Sequence, residues 1–230
     1  MLKRPKYAVE RLAAVIVMRE EKKWLIGQQI QRTLKALERN GFRCVYAPTR
    51  AEALSESLKL ISKEAKVGIG GSVTIREIGL IDELRKRGNE VLETWKKITP
   101  EEDQAIRKGH LTCDIFVTSS NAITEDGNLV NADGTGNRVA AMIFGPPKVI
   151  VVAGVNKIVK DAHEGIERIR RVAAPMNVKR IGGKTPCVID VCNLEECTPP
   201  DRHCHAITIL EKRPTRTDTT VILVGEELGF

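Results

Sequence analysis

Aromatic side chains make up only 3% of this 230-residue chain: two Trp, two Tyr and four Phe. That is too few for a surface that stacks on successive bases, so nucleic acid is not the expected partner. A long apolar run is also missing. A membrane span needs roughly 18 or more such residues, whereas the longest run here, around 13–18, is closed by Arg19, Glu20 and Glu21. The amino end carries no secretory apolar segment with a cleavage site, and no repeat at solenoid spacing occurs. These absences predict a cytoplasmic protein with no membrane insertion.

What is present suits one soluble α/β domain over 1–230, because the length allows a sizeable core and 42% hydrophobic with 29% charged residues is ordinary for a globular protein. The formal net charge of +7 favours an anionic partner such as a small metabolite. Many basic residues nevertheless alternate with acids, as in Arg19, Glu20, Glu21, Lys22 and Lys23, which is how a solvated helical face looks.

Apolar spacing near 3.6 predicts an amino-terminal helical segment over about 7–39, through Leu12, Val15, Ile16, Leu25, Ile30, Leu34 and Leu37, with a break marked at Gly27. Thr49 and Glu52 have the spacing of a helix cap, as do Thr99 and Glu102 with Pro100 between them. Apolar runs at 42–47, 66–69, 90–92, 115–117, 149–152, 206–210 and 220–224 read as strands. A further helix is expected over 161–172, ended by Ala174-Pro175. Strands that alternate with helices and are too continuously apolar to be half exposed predict a mostly parallel sheet covered by helices on both faces. His110, near the end of one helix, reads as a surface or helix-terminal residue.

In such sheets ligands sit at the carboxyl ends of strands, and two glycine-rich stretches belong there. Gly68, Gly70, Gly71, Ser72 and Thr74 follow one strand and open a helix, presenting free amides and hydroxyls to an anion. It lacks the lysine of a Walker loop and the full dinucleotide fingerprint. The second stretch, 121–138, reads as a polar loop between two core strands. It offers Asn121 and Thr124, a turn at Glu125-Asp126-Gly127-Asn128, and then Asn131, Asp133, Gly134, Thr135, Gly136, Asn137 and Arg138. Arg138 suits a bidentate contact to a carboxylate or phosphate. Glu125 is the candidate catalytic group, as base or nucleophile.

Six cysteines without an export signal argue for thiols or metal rather than disulfides. Cys187, Cys192, Cys197 and Cys204 fall together in an irregular segment, 182–205, with His203 and His205 flanking the last. They suit a zinc site, an iron–sulfur cluster, reduced structural thiols or a redox pair, and no tight CxxC spacing chooses among these.

The run NAITEDGNLVNADGTGNRVAAMIFGPPKVIVVAGVNKIVKD, with GIGGSVTIREIGL upstream and VILVGEELGF at the carboxyl end, closely resembles the lactate-utilisation (LUD) domain family, formerly catalogued among domains of unknown function. The resemblance covers nearly the whole chain from about Tyr7. It implies a fold like that of ribose-5-phosphate isomerase, glucosamine-6-phosphate deaminase and the CoA-transferases. It also implies a role in oxidation of lactate to pyruvate alongside iron–sulfur oxidoreductase subunits, and a cysteine-rich segment near 182–205 is frequent in the family. More loosely, Thr124-Glu125-Asp126-Gly127 resembles the Ser-Glu-Asn-Gly segment whose glutamate is the nucleophile of some CoA-transferases, with Asp126 where they have Asn. Asn131 through Arg138 resembles the substrate-holding turn of the sugar-phosphate isomerases. Three functions follow as expectations. The first is a component or accessory of lactate or related organic-acid oxidation that binds a small anionic metabolite. The second is a stand-alone isomerase or acyl/CoA-transferase using Glu125, and the third a ligand-sensing regulatory module.

Overall fold

A computed structural model describes residues 19–189, 192–199 and 201–230. The chain runs α1 (Glu20–Arg39), β1 (Arg43–Ala47), α2 (Arg50–Lys59), β2 (Val67–Ile69), α3 (Val73–Glu77), α4 (Leu80–Lys86), β3 (Val91–Leu92) and α5 (Pro100–Gly109). It continues with β4 (Ile115–Thr118), β5 (Ala122–Thr124), β6 (Leu129–Asp133), α6 (Asn137–Ile143), β7 (Lys148–Gly154) and β8 (Ile158–Val159). The last elements are α7 (Ala162–Arg168), α8 (Ala174–Arg180), α9 (Pro186–Ile189), β9 (Ala206–Leu210) and β10 (Asp218–Val224). Among the described residues no helix is long and apolar enough to cross a membrane.

Six strands form one sheet in the order β1-β10-β7-β4-β2-β3, and every pairing in it is parallel. The continuous apolar runs have a direct cause, since both sheet faces are dry. Val149, Val151 and Ala153 of β7, with Val221 and Leu223 of β10, pack with Phe116, Leu37 and Met142. The alternate residues Ile150, Val152, Ile222 and Val224 turn to the other face, against Ile75, Leu80 and Leu84. Each such side chain buried contributes roughly 1.5 to 3 kcal/mol, so this double-faced core dominates the fold's stability. The architecture is the helix-covered α/β fold that the sequence predicts.

Three local expectations change. α1 runs through Gly27 without a break, because that position faces open space; the earlier part of the expected segment, with Leu12, Val15 and Ile16, lies outside the described residues. The helix over 161–172 does not stop at Ala174-Pro175. A wide π turn, Ile169–Ala173, links α7 to α8, and Pro175 falls in the first turn of α8, where a missing N–H costs little. His110 is a buried core residue that caps α5, with Nε2 3.2 Å from the Leu92 carbonyl oxygen and its ring against Phe116; burial holds its pKa below the ordinary value.

The polar stretch 121–138 is the largest correction. Most of it belongs to a second sheet, ordered β8-β5-β6-β9, in which β5 and β6 form an antiparallel hairpin. Its apolar residues come in adjacent pairs that point opposite ways: Ile123 and Leu129 join the core with α1, while Ala122 and Val130 pack beneath Ile169 and Ile166. The hairpin turn presses on α1 at Gly127. There φ is +88° and an added Cβ would stand 2.5 Å from the Ala36 carbonyl carbon. Gly127→Ala is expected to lower stability by about 2 kcal/mol or more, read as a lower denaturant midpoint at unchanged slope.

Candidate functional site

The carboxyl ends of β2, β4 and β7 open into one cavity of about 130 Å³. Gly71, Ser72 and Thr74 follow β2, Ser119, Ser120 and Asn121 follow β4, and Lys157 follows β7. Ala132 and Asp133 of β6 close it from the second sheet, and Ile169, Ala173 and Asn177 line it from the α7–α8 run. Trp95, His203 and Cys204 complete the rim. Parallel strands end together at one edge of a sheet, so three loops distant in sequence meet here.

Of the residues singled out from the sequence, Gly71, Ser72, Thr74, Asn121, Asp133 and Arg138 line this cavity. Ser72 is also the N-cap of α3, its Oγ accepting from the Ile75 amide at 3.3 Å. Gly68 and Gly70 lie beneath, where side chains would collide with Cys113, Phe116 and Thr118. Thr124 is spent locally, donating to Asp126 and accepting from the Asn128 amide. Asn131 is fully buried, its Oδ1 accepting from the Ser120 hydroxyl, the Asn121 backbone amide and Arg138. Gly134 packs on the His203 backbone, Gly136 is the N-cap of α6, and Asn137 accepts from Arg107; these three and Thr135 are not in the lining.

Arg138 is not an open clamp. Its Nε donates to Asp133 at 3.1 Å, one terminal nitrogen to Asn131 Oδ1 at 2.6 Å and the Ser119 carbonyl at 3.2 Å, and the other to Asn121 Oδ1 at 2.9 Å and the Ala132 carbonyl at 2.8 Å. Those bonds use all five guanidinium donors. Arg138 therefore supplies charge and rigidity rather than a free fork. Asn121 accepts with Oδ1 from Arg138 and from the Ala132 amide, while its Nδ2 has no partner among the described residues and is available to a ligand oxygen.

Glu125 stands elsewhere. The β5–β6 turn folds away from the cavity, and the carboxylate meets α1, accepting from Gln29 at 2.9 Å and pairing with Arg32 at 2.9 Å. The chemistry expected of it has no access to the cavity in this arrangement.

The residue that sequence reasoning passed over is Lys157. It is 3% exposed, and its Nζ donates to Thr74 Oγ1 and Ser119 Oγ at 2.9 Å each. No carboxylate forms an ion pair with it among the described residues. Burial first, then the charges of Arg168 and Arg138, push its pKa down from 10.5 to about 7. The available signal was a lone lysine set among Val155, Ile158 and Val159 just past the end of a core strand.

At the rim, two guanidinium groups stack on Trp95, with Arg76 Cζ at 4.2 Å and Arg180 Cζ at 4.0 Å from the ring centre. Glu93 anchors the arrangement, accepting from Arg76, Arg85 and the Trp95 amide at 2.8, 2.8 and 2.9 Å. Burial alone raises its pKa, but these donors outweigh burial and hold the carboxyl below its ordinary value.

The cysteine segment reaches the site through Cys204. Burial raises the Cys192 and Cys197 thiols, with smaller contributions from the neighbouring cysteines. Among the described residues no group of three or more His, Cys, Asp and Glu side chains is placed to hold a metal; residues 190, 191 and 200 of this segment lie outside that description.

The comparisons agree with this architecture. A family model described as the LUD domain matches residues 30–224. The chain belongs to the LUD-domain family. A DUF162 family protein from Deinococcus radiodurans shares the fold at a TM-score of 0.53 and 16% identity, over 87% of this chain and 98% of that one. Weaker likeness is found to eIF2B delta from Chaetomium thermophilum, at a TM-score of 0.33 and 19% identity over 64% and 55% of the two chains. No curated protein matches.

The buried amine of this LUD-domain chain has a measurable cost. A lysine whose folded pKa is about 7 against 10.5 destabilises the fold fully below pH 7, and the penalty fades as pH rises toward 10.5. Lys157→Met is expected to be the more stable protein at pH 6, by about 1 kcal/mol or more, with the gain shrinking steadily toward pH 10. Thermal or urea melts of both proteins across that range check it.

Proposed function

We propose that this LUD-domain protein binds a small organic acid of the lactate and pyruvate class in the cavity and serves lactate oxidation as a component or accessory of iron–sulfur oxidoreductase partners. Family membership supports the association with lactate utilisation. The cavity carries the ligand part of the reading. Its volume of about 130 Å³ is close to the roughly 150 Å³ that accommodates benzene in an engineered protein cavity, so it suits a small acid rather than a whole coenzyme. The Ser72 hydroxyl, the free Nδ2 of Asn121 and the cationic field of Arg138 and Arg168 favour a carboxylate, because Asp133 is already neutralised by Arg138.

A ligand-screening melt tests this. Pyruvate or lactate at about 100 times its dissociation constant stabilises by about 2.7 kcal/mol, whereas CoA esters and sugar phosphates are expected to give no shift. Glu125→Gln should keep the full ligand-induced shift, since its carboxylate stays with α1. A shift with CoA esters that disappears in Glu125→Gln would instead establish the transferase reading.

A further inference from the structure

Lys157 is a buried amine in the cavity lining, held by two hydroxyls and facing no carboxylate within ion-pair distance among the described residues. Thr74 Oγ1 donates onward to the Leu228 carbonyl at 3.4 Å and Ser119 Oγ to the Ser120 carbonyl at 3.3 Å, both long contacts. Their hydrogens are thus committed to carbonyls, and both hydroxyl oxygens act as acceptors toward Lys157. A neutral amine carries two N–H donors, and the two hydroxyls match both. The fourth tetrahedral position of the nitrogen, at the cavity lining, then holds a lone pair.

The groups facing the amine reinforce that state. Arg138 and Arg168 act against its charge, and Glu77 alone acts for it. Arg168 is fixed by the Asn121 carbonyl at 2.5 Å and the Asn156 carbonyl at 3.0 Å, and Arg138 by its five bonds, so neither guanidinium is free to move away. A desolvated lysine beside other cations is a general way of making a nucleophilic amine at neutral pH.

We propose that Lys157 condenses with the carbonyl of a small 2-oxo acid to form an imine in the cavity. The Nζ lone pair forms a bond to C2 as the carbonyl π pair moves to oxygen, which takes up the first proton released by the nitrogen. The resulting carbinolamine loses its hydroxyl as water, and nitrogen gives up its second proton, so the amine and the oxo acid become the imine plus one water. Thr74 and Ser119 hold the amine until its two protons leave, and Asn121 lines the same cavity, where its amide can meet the carboxylate. A 2-hydroxy acid fits the same cavity and cannot react, so the site distinguishes the two oxidation states of one carbon skeleton. This inference rests on the organic-acid reading of the cavity and names what that cavity does to one of the two acids.

Borohydride trapping decides it. The intact protein is incubated with pyruvate and sodium borohydride at pH 7.5, digested, and mapped by mass spectrometry for the reduced, non-hydrolysable adduct. An amine with a pKa near 7 is neutral there in a fraction more than about a hundredfold larger than an ordinary lysine. Labelling at Lys157 is therefore expected at least about tenfold faster than at exposed lysines such as Lys23, allowing for restricted access. It should saturate with pyruvate, fall when lactate competes, and vanish in Lys157→Met. Labelling spread over exposed lysines with Lys157 untouched, while pyruvate still raises the melting temperature, overturns the imine and leaves the cavity reading standing. Absence of both adduct and melting shift overturns both. Mapping the unsubstituted protein gives the answer even if the variant fails to fold.

Discussion

The Arg138 guanidinium is the interaction on which the two-sheet arrangement depends. It starts on α6, reaches the loop after β4 through the Ser119 carbonyl and Asn121, and grips β6 through Asn131, Ala132 and Asp133. A buried charge tolerates loss from water only when every donor is matched, and here the match joins the large sheet to the small one. Removing it would leave Asp133 and the buried Asn131 without their main partner. The cavity is the space left at that joint, so its shape is set by a hydrogen-bond count rather than by apolar packing.

That origin explains why the site is polar but poor in mobile charge. Asp133 and Arg138 neutralise each other, Glu93 is held by Arg76 and Arg85, and Glu125 is held by Arg32 on another surface. What remains for chemistry at the cavity is a set of hydroxyls, one amide nitrogen and the Lys157 amine. Such a set orients a small acid and handles protons on nitrogen and oxygen.

The large sheet was legible because its strands are long in Val and Ile and buried on both faces, which leaves an unbroken apolar signal at 115–117, 149–152 and 220–224. Of the small sheet only β9 was, at 206–210. Ala122-Ile123 and Leu129-Val130 each supply only two apolar residues, pointing to opposite sides, and the polar residues around them read as a loop although they are hydrogen-bonded within a hairpin. Residue type also found Arg138 and Asn121 without revealing that Arg138 would spend its donors on the protein. Glu125 illustrates the converse, since only the direction of the β5–β6 turn decides that it faces Arg32. Lys157 was hidden because a lysine in a charged sequence is unremarkable until its burial is known.

The stacked Trp95 carries a consequence of another kind. The chain has two tryptophans, and the other, Trp24, is 66% exposed on α1. Trp95 sits at the cavity rim with two guanidinium groups on its ring and its indole nitrogen 3.1 Å from where a Gly71 side chain would begin. An indole in that electrostatic setting emits with an energy set by those charges, and any anion that draws Arg180 aside alters it. Trp95 is thus a local optical probe of the cavity rim, half-buried where Trp24 is exposed.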